Sequence, residues 1–170
     1  MEGGVRIVPL EPDGIGRLVV LAREIWHAHY PAIISVDQIE YMLAQRYSPE
    51  VIREELRRPD VWWDTLLEEG RIAGFSSYFL TGAPGEMKLD KLYIDTARQR
   101  RGHGARLVAR AAGVAAMRGC SRLVLAVNKR NLNAVAAYRR YGFEVVDAVV
   151  KDIGGGFLMD DYVMALRLAE

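Results

Sequence analysis

The chain has 170 residues, 51% of them hydrophobic and 26% charged, with a formal net charge of +1. This composition fits one compact soluble domain over residues 1–170 and excludes a basic nucleic-acid binder or a protein with an acidic tail. Cys120 is the only cysteine, which excludes an internal disulfide framework and a multi-cysteine metal site and points to a reducing, cytoplasmic setting. The opening MEGGVRIVPLEPDG lacks the basic and apolar stretches of a signal peptide. No apolar run is long enough to span a membrane.

Residues 5–9 alternate as a short strand. Ile15, Leu18, Leu21, Ala22 and Ile25 recur at helical spacing, predicting an amphipathic helix over 13–30 that Pro31 ends or bends. A second helix is predicted over 35–45, capped by Ser35 and striped by Ile39, Met42 and Leu43. A third, short helix follows Ser48-Pro49 and ends near Arg58-Pro59. The texture then becomes strand-like. Residues 61–67 and 71–80 read as two strands joined at Glu69-Gly70, a hairpin-type turn, and 87–95 as a third after the loop 81–85. Helix is predicted over 102–118 with Gly119 as its stop, strand over 122–128, helix over 131–141 ending at Gly142, and strands over 144–153 and 157–168 around three glycines. The order β-ααα-βββ-α-β-α-ββ mixes hairpins with helical crossovers, so the fold class is α/β with a mixed, mostly antiparallel central sheet flanked by helices.

The stretch Gln99-Arg100-Arg101-Gly102-His103-Gly104-Ala105 follows a strand and opens a helix. First-turn amides of a helix lack intrahelical acceptors, the helix dipole adds positive potential there, and glycine lets the backbone close on an anion. With Arg98, Arg100 and Arg101 alongside, the stretch reads as a pyrophosphate cradle, against the plainer reading of a basic strand-to-helix loop. The Gly-Lys-Ser/Thr ending of a nucleotide P-loop is missing, and so is the acidic residue that a dinucleotide fingerprint needs after the next strand. Further on, Asn131 can cap a helix on which Tyr138 lies seven positions later, on the same side and roughly 10 Å along the axis.

Together these two stretches resemble the GNAT (Gcn5-related N-acetyltransferase) superfamily. Its Gln/Arg-x-x-Gly-x-Gly/Ala loop is matched by Gln99, Gly102 and Gly104. Its Asn-x-x-Ala-x-x-x-Tyr-x-x-x-Gly-Phe helix is matched by Asn131, Ala134, Tyr138, Gly142 and Phe143. The resemblance covers nearly the whole chain, most firmly 87–143. Residues 152–162 also resemble a bacterial branch that includes polyamine acetyltransferase-like proteins.

The resemblance implies an acyl-CoA N-acyltransferase fold with acetyl-CoA as cosubstrate and no metal. It implies that main-chain groups of Leu92, Tyr93 and Ile94 bond the pantetheine arm, with the Tyr93 N–H or a neighbour holding the thioester oxyanion. Gln99 belongs to the loop motif, and the amides of Arg100, Arg101, Gly102, His103, Gly104 and Ala105 are expected to hold the pyrophosphate. Asn131 is expected to meet the cofactor at the helix start. Arg140 stands near the CoA phosphate end or is simply a solvated surface arginine. Tyr138 matches the general acid that protonates the departing thiolate; otherwise it is a half-buried tyrosine packed under the sheet. For the general base, Ala126 removes the strand-five carboxylate, leaving Asp90 first and Glu86 second. These share a strand face with Lys88, and Asp90 is alternatively an ion-pair partner of Lys88 or Lys91.

Trp26 and Tyr30, i,i+4 neighbours, are expected either to form an aromatic wall for the acceptor or to lie in the core. Asp160 and Asp161 point to opposite faces of a strand, so that one could meet a cationic amine; surface or structural roles are the alternative. His27, His29 and His103 lack metal-ligand spacing and are assigned to surface or packing roles, and Cys120 to a buried structural thiol. The expected activity is transfer of acetyl to a primary amine of a small molecule. The alternatives are a protein lysine or N-terminal acetyltransferase and a catalytically inactive acyl-CoA-binding sensor. Nucleic acid and membrane are not expected partners, and the pairing of family members through sheet edges or C-terminal strands admits a homodimer.

Overall fold

The structure, a computed structural model, describes residues 4–168. Its elements run β1 (Val5–Pro9), α1 (Ile15–His29), α2 (Val36–Arg46), α3 (Pro49–Leu56), β2 (Val61–Glu68), β3 (Arg71–Leu80), β4 (Glu86–Ile94), α4 (His103–Met117), β5 (Arg122–Asn128), α5 (Leu132–Arg140), β6 (Glu144–Gly154) and β7 (Phe157–Arg167). The seven strands make one sheet in the order β1-β2-β3-β4-β5-β7-β6. The chain divides into two compact units. One holds the residues up to Tyr78 together with Lys91–Leu107, the other Phe79–Asp90 and the residues from Val108 onward.

In the first unit the helix α1 starts later than its periodicity predicts, because Pro12–Gly14 form a 3-10 turn ahead of it. A second 3-10 turn, Tyr30–Ala32, follows it at Pro31, whose ring cannot donate to the helix. The helix buries Ile15, Leu18, Leu21, Ala22, Ile25 and Trp26, the 3.6-residue stripe. Ser35 caps α2 by accepting the Gln38 N–H at 3.1 Å, and Ser48 caps α3 by accepting the Val51 N–H at 3.2 Å. β1 and β2 pair antiparallel from Val5↔Glu68 to Pro9↔Asp64, which puts Glu68 at the end of the ladder. Glu69 and Gly70 have φ of 53° and 79°, the left-handed pair that a two-residue hairpin turn requires. Leu66, Ala73 and Leu107 are fully buried, with Val5, Ile7, Leu92 and Ile94 packed on them.

In the second unit β4 runs parallel to β5, from Glu86↔Arg122 to Lys88↔Val124. β7 pairs antiparallel with β5 on one side and with β6 on the other, so β6 forms the sheet edge. Gly155 and Gly156, φ 64° and 83°, turn the β6–β7 hairpin. Gly119 (φ 79°) follows α4 and Gly142 (φ 103°) follows α5, the left-handed stops expected at both places. Cys120, next to Gly119, is buried and free. Burial raises its thiol pKa against the opposing charge of Arg118, which disfavours the reactive thiolate. Among the described residues no helix is long and apolar enough to cross a membrane.

Candidate functional site

The loop between β4 and α4 is held at both ends. At its start the Asp95 N–H donates to the Ala73 carbonyl at 2.8 Å, and the Asp95 carboxylate accepts the Ala97 N–H at 3.2 Å, closing the turn Thr96–Arg98. The Gln99 side chain reaches only to 3.5 Å from the Ile94 carbonyl. Arg100 then takes φ 65° and Gly102 φ 81°. A Cβ on Gly102 would meet nothing within 4 Å, so glycine supplies conformational freedom there rather than space. α4 begins directly afterwards, and Gly102 O accepts the Arg106 N–H at 3.2 Å. The first-turn amides of His103, Gly104 and Ala105 therefore have no helical acceptor and sit at the positive end of a 15-residue helix dipole.

The side chains of this loop are arranged differently from a ring of free cations. Arg98 and Arg101 both donate to Glu68 Oε1, at 2.6 and 2.5 Å, while His103 Nε2 lies 2.6 Å from Glu68 Oε2. Burial raises the Glu68 carboxyl, but hydrogen bonds from His103 and Arg98 and the charges of Arg101 and His103 outweigh it and hold the pKa below its ordinary value. An ionised carboxylate only accepts, so His103 must donate from Nε2. Its Nδ1 is buried without a hydrogen-bond partner among the described residues. The His103 side chain is 3% exposed, so only its main chain can meet a ligand. Arg100 makes no ion pair among the described residues, in contrast to Arg98 and Arg101. Glu68 lies 30 to 35 residues from these partners, and nothing in the sequence marks it.

On β4 the alternation places Met87, Leu89 and Lys91 in the buried class, with Glu86, Lys88 and Asp90 half-buried on the other face. Lys91 is therefore on the face opposite Asp90, its ammonium over the rings of Trp63 and Tyr47. Lys88 lies 6.0 Å from the Phe79 ring centroid. Leu92, Tyr93 and Ile94 are half-buried. The Tyr93 hydroxyl is 2.8 Å from that of Tyr30, and burial, with Tyr30 and Tyr47 nearby, raises the Tyr93 phenol well above its ordinary value. Trp26 is packed against Tyr30, Tyr47 and Tyr93 with ring centroids 4.5, 5.8 and 5.8 Å away. At 1% exposure Trp26 belongs to the core, and of the expected aromatic wall only Tyr30 keeps a surface.

Glu86 is committed locally. One oxygen accepts the Thr81 hydroxyl at 2.7 Å and the other pairs with Arg122 at the start of β5. Asn131 caps α5, accepting the Ala134 N–H at 3.4 Å, and is 6% exposed. Tyr138 on α5 is half-buried, edge-on to Tyr141 and Phe143 with centroids 6.3 and 5.6 Å away. Arg140 is exposed in the last helical turn. Asp160 and Asp161 do point to opposite faces. Asp160 is exposed and pairs with Lys129 at 2.9 Å, and Asp161 is 6% exposed. The Asp160 hydrogen bond is the main reason that the Lys129 ammonium pKa is raised. Ala126 is exposed on β5. Among the described residues no group of three or more His, Cys, Asp or Glu is arranged to hold a metal ion.

The model of the acetyltransferase (GNAT) family matches residues 21–143 of the chain. Among solved structures, the PaiA N-acetyltransferase of Thermoplasma acidophilum in complex with coenzyme A is 23% identical, with a TM-score of 0.83 over 96% of this chain and 99% of that one. A GCN5-related N-acetyltransferase from Rhodopseudomonas palustris is 18% identical, with a TM-score of 0.81 over 99% of both chains. The ribosomal-protein-S18-alanine N-acetyltransferase of Escherichia coli is 20% identical, with a TM-score of 0.69 over 98% of this chain and 96% of that one. No curated protein sequence matches the chain.

Proposed function

The chain belongs to the GNAT acetyltransferase family, and we propose that it moves the acetyl group of acetyl-CoA onto a primary amine of a small molecule by direct attack. The observation that carries this reading is the loop from Arg100 to Ala105. Two left-handed residues, Arg100 and Gly102, deliver the chain into the unbonded first-turn amides of α4, inside the stretch that matches the family. These amides take the pyrophosphate of CoA in this reading, with Arg100 as the cation beside it. Gln99 supports the loop, Asn131 meets the cofactor at the start of α5, and Arg140 serves its phosphate end. Main-chain groups of Leu92, Tyr93 and Ile94 hold the pantetheine arm, and the Tyr93 N–H supports the oxyanion. Residues 1–170 act as one catalytic domain, in keeping with a chain that passes between its two units at 78/79, 90/91 and 107/108. A cytoplasmic setting, with its supply of acetyl-CoA, belongs to the same reading.

The amine nitrogen attacks the thioester carbonyl, forming the C–N bond and a tetrahedral oxyanion. Collapse breaks the C–S bond, and the Tyr138 hydroxyl gives its proton to the leaving thiolate. The amine proton passes to Asp90, directly or through water. Asp90 is the first candidate for this role and Glu86, held by Thr81 and Arg122, the second. Tyr30 lines the acceptor side, and one of Asp160 and Asp161, which point to opposite faces, offers a carboxylate to its cation. The products are the N-acetylated amine and CoA thiol.

Thiol release from acetyl-CoA is the test, run against polyamines, amino acids, aminoglycosides and lysine peptides beside a CoA titration. Release that depends on a small amine supports the reading. Release with peptides alone makes the acceptor a protein, and CoA binding without turnover on any acceptor calls for a wider panel or favours a sensor.

A further inference from the structure

Two arginines and a histidine of the phosphate loop converge on one carboxylate from a distant strand. Glu68 ends β2, and its two oxygens take Arg98 and Arg101 on one side and His103 on the other. These partners bracket the turn: Arg98 precedes left-handed Arg100, Arg101 lies between Arg100 and Gly102, and His103 is the first residue of α4. From this geometry we infer that Glu68 is a positioning residue for the phosphate loop, holding the amide array open before CoA arrives. The inference rests on the reading that this loop takes the CoA pyrophosphate.

The bracketing has a physical purpose. A non-glycine residue in the left-handed region is strained and persists only where its surroundings over-determine it. Arg100 (φ 65°) is such a residue, and without an anchor the arginines on either side would repel one another into solvent. Glu68 is only 12% exposed, so its attraction for them is screened less than that of a surface carboxylate. His103 fixes the start of the helix through its own buried ring. A negative charge beside an anion site would weaken binding if it dominated. Here Glu68 faces the guanidinium groups of Arg98 and Arg101, Asp95 lies 3.8 Å from Arg98 Nε, and Arg100 adds a third guanidinium without an ion pair among the described residues. The cluster therefore stays positive, and binding gains from the order already imposed on the loop.

The test is Glu68→Gln, titrated with CoA and with pantetheine, the arm of CoA without its nucleotide and phosphates. An amide in place of the carboxylate sets an N–H₂ donor against either the His103 Nε2–H or the two guanidinium donors. The dissociation constant for CoA is expected to rise about tenfold or more, the scale of one lost charge-assisted hydrogen bond, while that for pantetheine stays unchanged. Should Glu68→Gln not fold, Glu68→Asp keeps the charge on a shorter arm and is expected to show the same selective loss, smaller in size. Unchanged CoA affinity, or an equal loss for both ligands, would overturn the positioning role. A wild-type protein that binds pantetheine and CoA equally well would instead remove the phosphate-loop reading.

Discussion

The ammonium of Lys91 lies 4.9 Å from the centre of the Trp63 ring, with Lys91 only 4% exposed. A cation taken this far from water needs the aromatic face as replacement solvent, and Tyr47 adds a second face at 5.6 Å. The Trp63 Nε1–H also donates to Glu55 at 2.8 Å, tying β2 to α3. Trp63→Phe weakens the first interaction and deletes the second. A loss of about 2–3 kcal/mol is expected in urea unfolding. Wild-type stability in this variant would mean that Lys91 does not depend on the ring.

Gly74 on β3 has no room for a methyl group. A Cβ there would stand 2.6 Å from Ile94 Cδ1 and 2.9 Å from the Tyr93 carbonyl oxygen. The isoleucine tip can turn aside, but the carbonyl can move only with β4. Gly74→Ala is expected to lower stability by about 1–3 kcal/mol, the range for overpacking, and to weaken CoA binding by displacing the strand assigned to the pantetheine arm. Thermal melts and a CoA titration on one preparation check both. Destabilisation with intact CoA affinity would remove the Tyr93 main chain from the proposed site.

Tyr138→Phe removes only a hydroxyl. General-acid catalysis contributes about a hundredfold or more, so kcat is expected to fall by that factor while the dissociation constant for CoA stays the same. Steady-state kinetics with the best acceptor from the panel, beside a CoA titration, make the comparison. A variant as fast as the wild type would return Tyr138 to a packing role with Tyr141 and Phe143.

Acid should dissolve the Glu68 cluster. A carboxyl whose pKa is lowered by folding adds stability that is present above its unfolded-state value and lost as pH falls through its folded value. Glu68 is shifted downward, so the stability gap between wild type and Glu68→Gln is expected to be full at neutral pH and to close below about pH 4. Glu40, lowered chiefly by its hydrogen bond from Arg23, titrates in the same region, which makes the difference between the two proteins the quantity to measure. A gap that persists undiminished at low pH would contradict the assignment.

The order of elements is legible in the sequence because each carries a local signal. The Glu69-Gly70 pair announces a turn, Ser35 and Ser48 announce helix starts, and the α1 stripe names the residues that α1 buries. Boundaries drift where a 3-10 turn intrudes, as at Pro12–Gly14. The loop motif was equally visible, since glycine placement and helix onset are local features. Its side-chain partners are not, because Glu68 on β2 is related to the loop after β4 by the sheet order β2-β3-β4 rather than by spacing. Lys91 carries a legible signal. It continues the buried alternation of Met87 and Leu89, so strand period alone sets it apart from Asp90. Trp26 gave no such sign, because a large aromatic on an apolar stripe suits a pocket wall and a core alike.

The position of β7 between β5 and β6 constrains how the protein is born. Arg122 finds its partner Arg167 only after the whole β6–β7 hairpin has left the ribosome, and a contact of that sequence separation is slow to close. Until then β5 presents one open flank, a template for strands of other nascent chains. Synthesis therefore passes through a vulnerable interval that ends when the hairpin docks, and variants that slow closure of the Gly155-Gly156 turn should cost yield in the cell before they cost activity in the purified enzyme.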